Sequence, residues 1–155
     1  ITRKAMESEG IREREETEIL TDLDVHEAWA NQICRKTEEM PAIDWTKSNY
    51  SRMNLKNRNL SGIDFTGSLM KNCDFTACNL TGVDFTGCNL TGAIFLNAIL
   101  AQNTFDGAKL EDIKIDQKNL QLFENAGIAV NTDQTGPMNI SVNRSVLSRK
   151  GNTAV

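Results

Sequence analysis

Three cysteines, Cys73, Cys78 and Cys88, stand five and ten residues apart, so a thiolate metal site or a disulfide is the first chemistry to consider. Zinc sites usually pair cysteines two to four residues apart, and this wider spacing argues for reduced thiols used as small core side chains. Cys34 stands alone. Asp44, Asp64 and Asp84 recur at twenty-residue intervals and would line one side of a chain that returns on itself at that period. A cation site or acidic stripe is one use for them. Hydrogen bonding to neighbouring threonines and backbone amides at a bend is the plainer one. The single histidine, His26 beside Glu27, has no nucleophile or second base placed near it and reads as a surface residue. No Gly-rich phosphate loop, HExxH or GxSxG occurs. The expectation is a chain without catalysis, cofactor or metal, whose cysteine usage points to the cytoplasm or another reducing compartment.

The element that must position these groups is a repeat. Every fifth residue from Trp45 to Leu120 is large and apolar or aromatic, sixteen in unbroken register. Of nine aromatic residues only Trp29 and Phe123 fall off this grid. Two residues before each marker the side chain is mostly small, as at Ser68, Cys73, Cys78, Cys88, Ala93, Ala98 and Ala108. Two residues after it stand Gly62, Gly67, Gly82, Gly87, Gly92 and Gly107, or Asn57, Asn72 and Asn97, residues that tolerate a left-handed corner. Inward positions therefore step by two and then by three, which fits neither a flat strand nor a helix. The pattern describes short extended segments joined by bends around a common interior.

Ile43-Asp-Trp-Thr-Lys47, Ile63-Asp-Phe-Thr-Gly67 and Val83-Asp-Phe-Thr-Gly87 add a twenty-residue echo, although a ten-residue alternation of Phe and Leu is visible as well. The units Cys78-Asn-Leu-Thr-Gly82, Cys88-Asn-Leu-Thr-Gly92 and Val83-Asp-Phe-Thr-Gly87 resemble the A-(D/N)-(L/F)-x-x unit of the pentapeptide-repeat family over about half the chain. That resemblance implies an all-β solenoid: a right-handed, quadrilateral β-helix, here of about four coils. Arg58 and Lys118 depart from the family pattern, being long basic residues at nominally inward positions of the outer coils.

Solenoid ends need covers. Residues 22–38 read as an amphipathic capping helix, opened by a Thr21/Asp24 capping box and docked through Val25, Ala28, Trp29, Gln32 and Ile33. Residues 1–18 are mostly charged and read as a solvated helix or disordered arm. After Leu122 the grid stops; Phe123 to Val130 would close the far end, and Met138, Ile140 and Val142 alternate like one strand of an extended C-terminal arm. The expected organisation is a charged arm and capping helix at 1–42, the β-helix at 43–122, and a C-terminal cap and arm at 123–155. The opening at Ile1 rather than Met suggests processing or a piece of a longer chain.

Net charge is −4, from 21 acidic and 17 basic residues, so the basic excess of a nucleic-acid binder is missing and direct nucleic-acid contact is not expected. No apolar run reaches the ~20 residues of a membrane span. Ile94, Leu96, Ile99 and Ala101 occupy outward positions where other units carry Asp, Asn or Thr, an apolar patch of the kind that marks contact surfaces. The cover would be this chain's own C-terminal arm, its 22–38 helix, or a separate partner. The expected function is a non-catalytic structural or protein–protein interaction module, a rigid scaffold docking other proteins within a larger assembly, with no small-molecule substrate. The family resemblance also implies an alternative, a DNA-mimicking inhibitor of a type II topoisomerase, but residues 43–122 hold eight acidic and eight basic side chains and make a poor phosphate mimic. A third reading is the recognition segment of a larger secreted bacterial effector.

Overall fold

The computed structural model describes residues 2–32, 39–125, 130–131 and 140–142, the last two pieces as backbone. From Trp45 onward a bend follows every fifth residue, and each segment pairs in parallel with the segment twenty residues later. Four columns of bridges result: Asn49–Leu69–Asn89–Lys109, Asn54–Asp74–Ile94–Lys114, Asn59–Asn79–Ile99 and Asp64–Asp84–Thr104. Within a column the marker's N–H donates to the next coil, as Phe65 does to the Asp84 carbonyl at 2.9 Å, while the Asp84 N–H returns to the Ile63 carbonyl at 3.0 Å. The coil period is therefore twenty residues, not ten.

Corners set the local conformation. The residue two after each marker has positive φ in fourteen consecutive units from Lys47 to Asp112, whether it is glycine or not. A left-handed residue every five breaks each side into a run too short for regular strand. Pairing is thus by single-residue bridges, and among the described residues regular sheet is confined to β1 (Ile113–Ile115), β2 (Val130–Asn131) and β3 (Ile140–Val142).

Fifteen of the sixteen markers, Trp45 to Ile115, are buried, and Leu120 is partly buried where the chain leaves the coil. Phe65, Phe85 and Phe105 stack with centroids 6.0 and 5.3 Å apart, and Phe75 stacks on Phe95 at 5.1 Å. The small inward positions donate to marker carbonyls of the preceding coil. Cys73 Sγ reaches the Tyr50 carbonyl, Cys78 the Leu55 carbonyl and Cys88 the Phe65 carbonyl, at 2.8, 2.8 and 3.0 Å. Asn103 Nδ2 reaches the Leu80 carbonyl at 2.7 Å in the same way.

The N-terminal elements depart from expectation. Within residues 1–18, read as a solvated helix or disordered arm, α1 (Arg3–Ser8), capped by Thr2, is a mostly exposed helix, but it and the segment after Gly10 lay Met6 and Ile11 over the outward-pointing Leu69. Arg12 then joins the first coil as a parallel rung beside Ser48. The capping helix, α2 (Glu16–Ala30), begins six residues earlier than expected, after an extended Glu15. Thr21 lies inside it, its hydroxyl turned back to the Thr17 carbonyl at 2.8 Å. Glu16 and Glu18 suit the first turn of a helix, and the buried Arg14 side chain ties Glu18 and Asp22 into that start.

The docking face is corrected too. Ile19, Leu23, His26 and Ala30 are buried, whereas Val25 is 47% exposed and Trp29 only half-buried. His26 sets this rotation by reaching the Ser61 carbonyl with Nε2 at 2.9 Å and standing edge-on to Trp45. Ile33, Cys34 and Met138 lie outside the described residues. At the far end α3 (Leu120–Asn125) places the fully buried Phe123 ring 5.4 Å from Phe105. β3 pairs antiparallel with β1, matching Lys114 to Ser141, and β2 pairs with β3, so one column of the coil continues into a three-stranded sheet.

Candidate functional site

The outer wall is built from the two residues flanking each marker. In polar units they clasp each other: the Asp64 carboxylate accepts the Thr66 N–H at 2.9 Å and the Thr66 hydroxyl, and Asp44, Asp74 and Asp84 do the same with Thr46, Thr76 and Thr86. The stripe at 44, 64 and 84 is therefore occupied with corner hydrogen bonds. Thr46, through its hydroxyl and then its N–H, holds the Asp44 carboxyl below its ordinary range. For Asp74, hydrogen bonds from Thr76 and the Lys56 ammonium at 3.4 Å outweigh the upward push of partial burial. Among the described residues no group of three His, Cys, Asp or Glu side chains is placed to share a metal ion.

The third coil breaks this polar pattern. Ile94 and Leu96 flank Phe95 and are partly exposed; Ile99 and Ala101 flank Leu100, with Ile99 53% exposed. The structure thus brings all four predicted residues onto adjacent sides of one coil. None can form the side-chain clasp. Asn97, at the corner between them, is held by its N–H donating to the buried Asp116 carboxylate at 2.8 Å.

Leu69 shows what the fold does with an outward apolar residue elsewhere. It occupies the position equivalent to Ile94 in its own unit, yet Met6 and Ile11 reduce its exposure to 9%. The sequence signal was an apolar residue in an Asp/Asn slot. Arg58, nominally inward, swings to α2 and meets Glu27 at 2.6 Å and Asp24 at 3.4 Å. Lys118 stays 55% exposed, 3.8 Å from Asp116.

Cys73, Cys78, Cys88 and His26, the other residues weighed for chemistry, are all buried. Cys73, Cys78 and Cys88 are free, buried thiols, and burial pushes them up to about 12, 11 and 12, which keeps these three protonated near neutral pH. His26 is a fully buried structural residue rather than a surface one. No helix among the described residues is long and apolar enough to cross a membrane.

A unit of five with alternating inward side chains, a left-handed corner and twenty-residue pairing matches one family model. Pentapeptide repeats, eight copies, account for residues 51–87 and 78–117. Residues 51–117 belong to the pentapeptide-repeat family. Two solved pentapeptide-repeat structures are similar to the chain. One is HetL, involved in heterocyst differentiation regulation in the cyanobacterium Nostoc sp. strain PCC 7120, with 24% identity and a TM-score of 0.39 over 41% of this chain and 30% of that one. The chain thus spans about a third of HetL. The other is a pentapeptide-repeat protein from the Arabidopsis thaliana thylakoid lumen, with 17% identity and a TM-score of 0.27 over 61% of this chain and 81% of that one. No curated protein matches the chain. Pentapeptide-repeat proteins are typically non-catalytic structural or interaction modules.

Proposed function

We propose that this chain is a non-catalytic interaction module: a right-handed quadrilateral β-helix acting as a rigid scaffold that docks partner proteins through Ile94, Leu96, Ile99 and Ala101. One observation carries the reading. Four outward positions of the third coil are apolar on two adjacent sides, and Ile99 stays 53% exposed while the comparable Leu69 is covered by the chain's own N-terminal segment. Such a surface lowers its free energy by excluding water against another protein. The DNA-mimic alternative has less support, because the solenoid carries eight acidic against eight basic side chains.

The test compares wild type with Ile94→Asp/Ile99→Asp in affinity purification from the source lysate. Folding of both proteins is checked by circular dichroism and thermal melting. Loss of specifically bound proteins by at least about tenfold supports the reading. A folded double variant that retains every partner overturns it.

A further inference from the structure

The outer wall of the 49 column is indented along one corner. Gly67, Gly87 and Gly107 occupy three successive turns of that corner. A Cβ on Gly87 or Gly107 would meet only the backbone of the glycine one coil earlier, at 3.9 Å. With no side chain to fill it, the corner and the adjoining wall form an open groove of about 410 Å³. It runs from Glu9 and Ile11 of the N-terminal segment, beside the first coil, down to Lys109 in the last.

The charged residues lining this groove are Arg52, Lys71, Lys109 and Glu9, three cations to one carboxylate. All four are exposed. Among the described residues the three cationic side chains form no ion pair and donate no hydrogen bond. By contrast, Lys56 stands 3.4 Å from Asp74 and Arg58 meets Glu27 at 2.6 Å. Asn89 adds a further donor to the groove: its Oδ1 is taken by the Thr91 N–H at 3.2 Å and hydroxyl at 2.7 Å, which leaves Nδ2 as its open end. Nearby carboxylates are engaged or lie outside the lining. Glu13 accepts from Asn49 Nδ2 at 2.6 Å, Asp64 and Asp84 are clasped by Thr66 and Thr86 on the neighbouring side, and Glu111 stands exposed on the last coil.

We propose that this groove docks a short, extended, acidic segment of a partner protein, with carboxylates at alternate residues. The Arg52 N–H donates to the Lys71 carbonyl at 2.8 Å, one coil on, and Lys109 lies two coils beyond Lys71. At strand spacing the three cations span roughly 14 Å along the stack. Alternate residues of an extended chain share a face, so carboxylates at its first, third and fifth positions cover about 13 Å. Cations spread over three coil spacings suit separated carboxylates rather than one compact phosphate, and each contact is a charge-assisted hydrogen bond. The carboxylates of Asp64, Asp84 and Glu111 beyond the groove repel a long, uniform polyanion and so limit the occupant to a short segment. No residue of the groove belongs to the Ile94–Ala101 surface, so loss of one contact leaves the other intact.

The probe is an end-blocked, fluorescently labelled peptide, Glu-Ser-Glu-Ser-Glu, titrated into the full chain at low ionic strength. Saturable anisotropy is expected, with amide shift changes at Gly87, Asn89 and Gly107, and added salt should weaken binding. Lys71→Gln/Lys109→Gln should weaken it at least about fivefold, the loss of two exposed ion pairs, whereas Glu9→Gln should tighten it. Lys114→Gln/Lys118→Gln removes the same charge away from the groove and should leave binding unchanged. The peptide with glutamine in place of glutamate should not bind. No saturable binding at millimolar peptide, indifference to Lys71→Gln/Lys109→Gln, or an equal loss in Lys114→Gln/Lys118→Gln overturns the proposal. So does tighter binding of a short oligothymidylate to the same amides, which would make the groove a nucleic-acid site. The glutamine peptide decides the role of the carboxylates even where a protein variant folds poorly.

Discussion

Cys78 Sγ lies 2.8 Å from the carbonyl of Leu55, one coil and three residues earlier in the chain, and donates its proton to it. The Leu55 carbonyl also closes a bend by accepting the Arg58 N–H at 3.3 Å, so the thiol adds a second bond to a carbonyl inside the tube. Cys73 and Cys88 repeat the arrangement against Tyr50 and Phe65. A cysteine here combines the size of a small core residue with a weak donor, which alanine lacks.

The first prediction concerns those thiols. Burial raises them to about 12, 11 and 12, from an ordinary value of about 8.5. The folded state favours the protonated form, so this contribution is complete below the unfolded value and is lost as pH rises from about 8.5 toward about 12. In a Cys34→Ser background, a thiol-reactive disulfide reagent at pH 8 should detect no thiols in the folded protein and three after denaturation. Stability measured by urea melts should fall between pH 9 and 11 more steeply in wild type than in Cys73→Ala/Cys88→Ala.

Corner strain gives the second. Ala77 is exposed and sits at φ 59°, where a Cβ is crowded by the following carbonyl at a cost of roughly 1–2 kcal/mol. Glycine removes that cost and gives back part of it in unfolded-chain entropy. Ala77→Gly should stabilise by about 0.5–1 kcal/mol, a rise in Tm of about 1–4 °C at this chain length. Gly82→Ala, at φ 72° and with ordinary spacing to Gly62, should move the other way through backbone strain alone.

The five-residue repeat and its buried markers were legible in the sequence because their constraint is local and repeated. Each marker, such as Phe85, sits between a small residue and a corner residue, and every unit states the same rule. The four outward apolar residues of the third coil were legible for the same reason. The ends were not, since a helix that meets a coil only once carries no repeat to average over. Val25 and Trp29 outweighed Ile19 and Leu23 as an apparent docking stripe because the true stripe includes His26, a polar residue whose burial depends on the Ser61 carbonyl across the interface. Arg12 was read as one more charge in a charged arm. Its rung depends on backbone groups thirty-five and more residues away, which no local pattern encodes.

His26 supplies the third prediction. Bonded to a carbonyl, its Nε2 must carry the proton, and the ring packs between Trp29 and Trp45 at 5.6 and 6.2 Å. His26→Ala removes a buried ring and leaves the Ser61 carbonyl without its helix partner, at a cost of about 2–4 kcal/mol. Urea unfolding followed by tryptophan fluorescence measures the loss. His26→Asn keeps a donor and should recover part of it.

Leu69 gives the last prediction, because its cover is local and the tube beneath it is not. Met6, Ile11 and Leu69 form a cluster separate from the main core, so removing the central member should free the N-terminal segment without opening the coils. Leu69→Asp places a carboxylate against Met6 and Ile11, which must then separate to hydrate it. Trypsin should cut after Arg12 and Arg14 at least about tenfold faster in the variant, while amide exchange at Phe75, Phe85 and Phe95 stays as slow as in wild type. The contrast distinguishes a detachable cover from a segment integral to the first coil. If the interior amides of Phe75 and Phe85 also exchange faster, the Arg12 rung and the solenoid form one cooperative unit, and the N-terminal segment is structural rather than a cover.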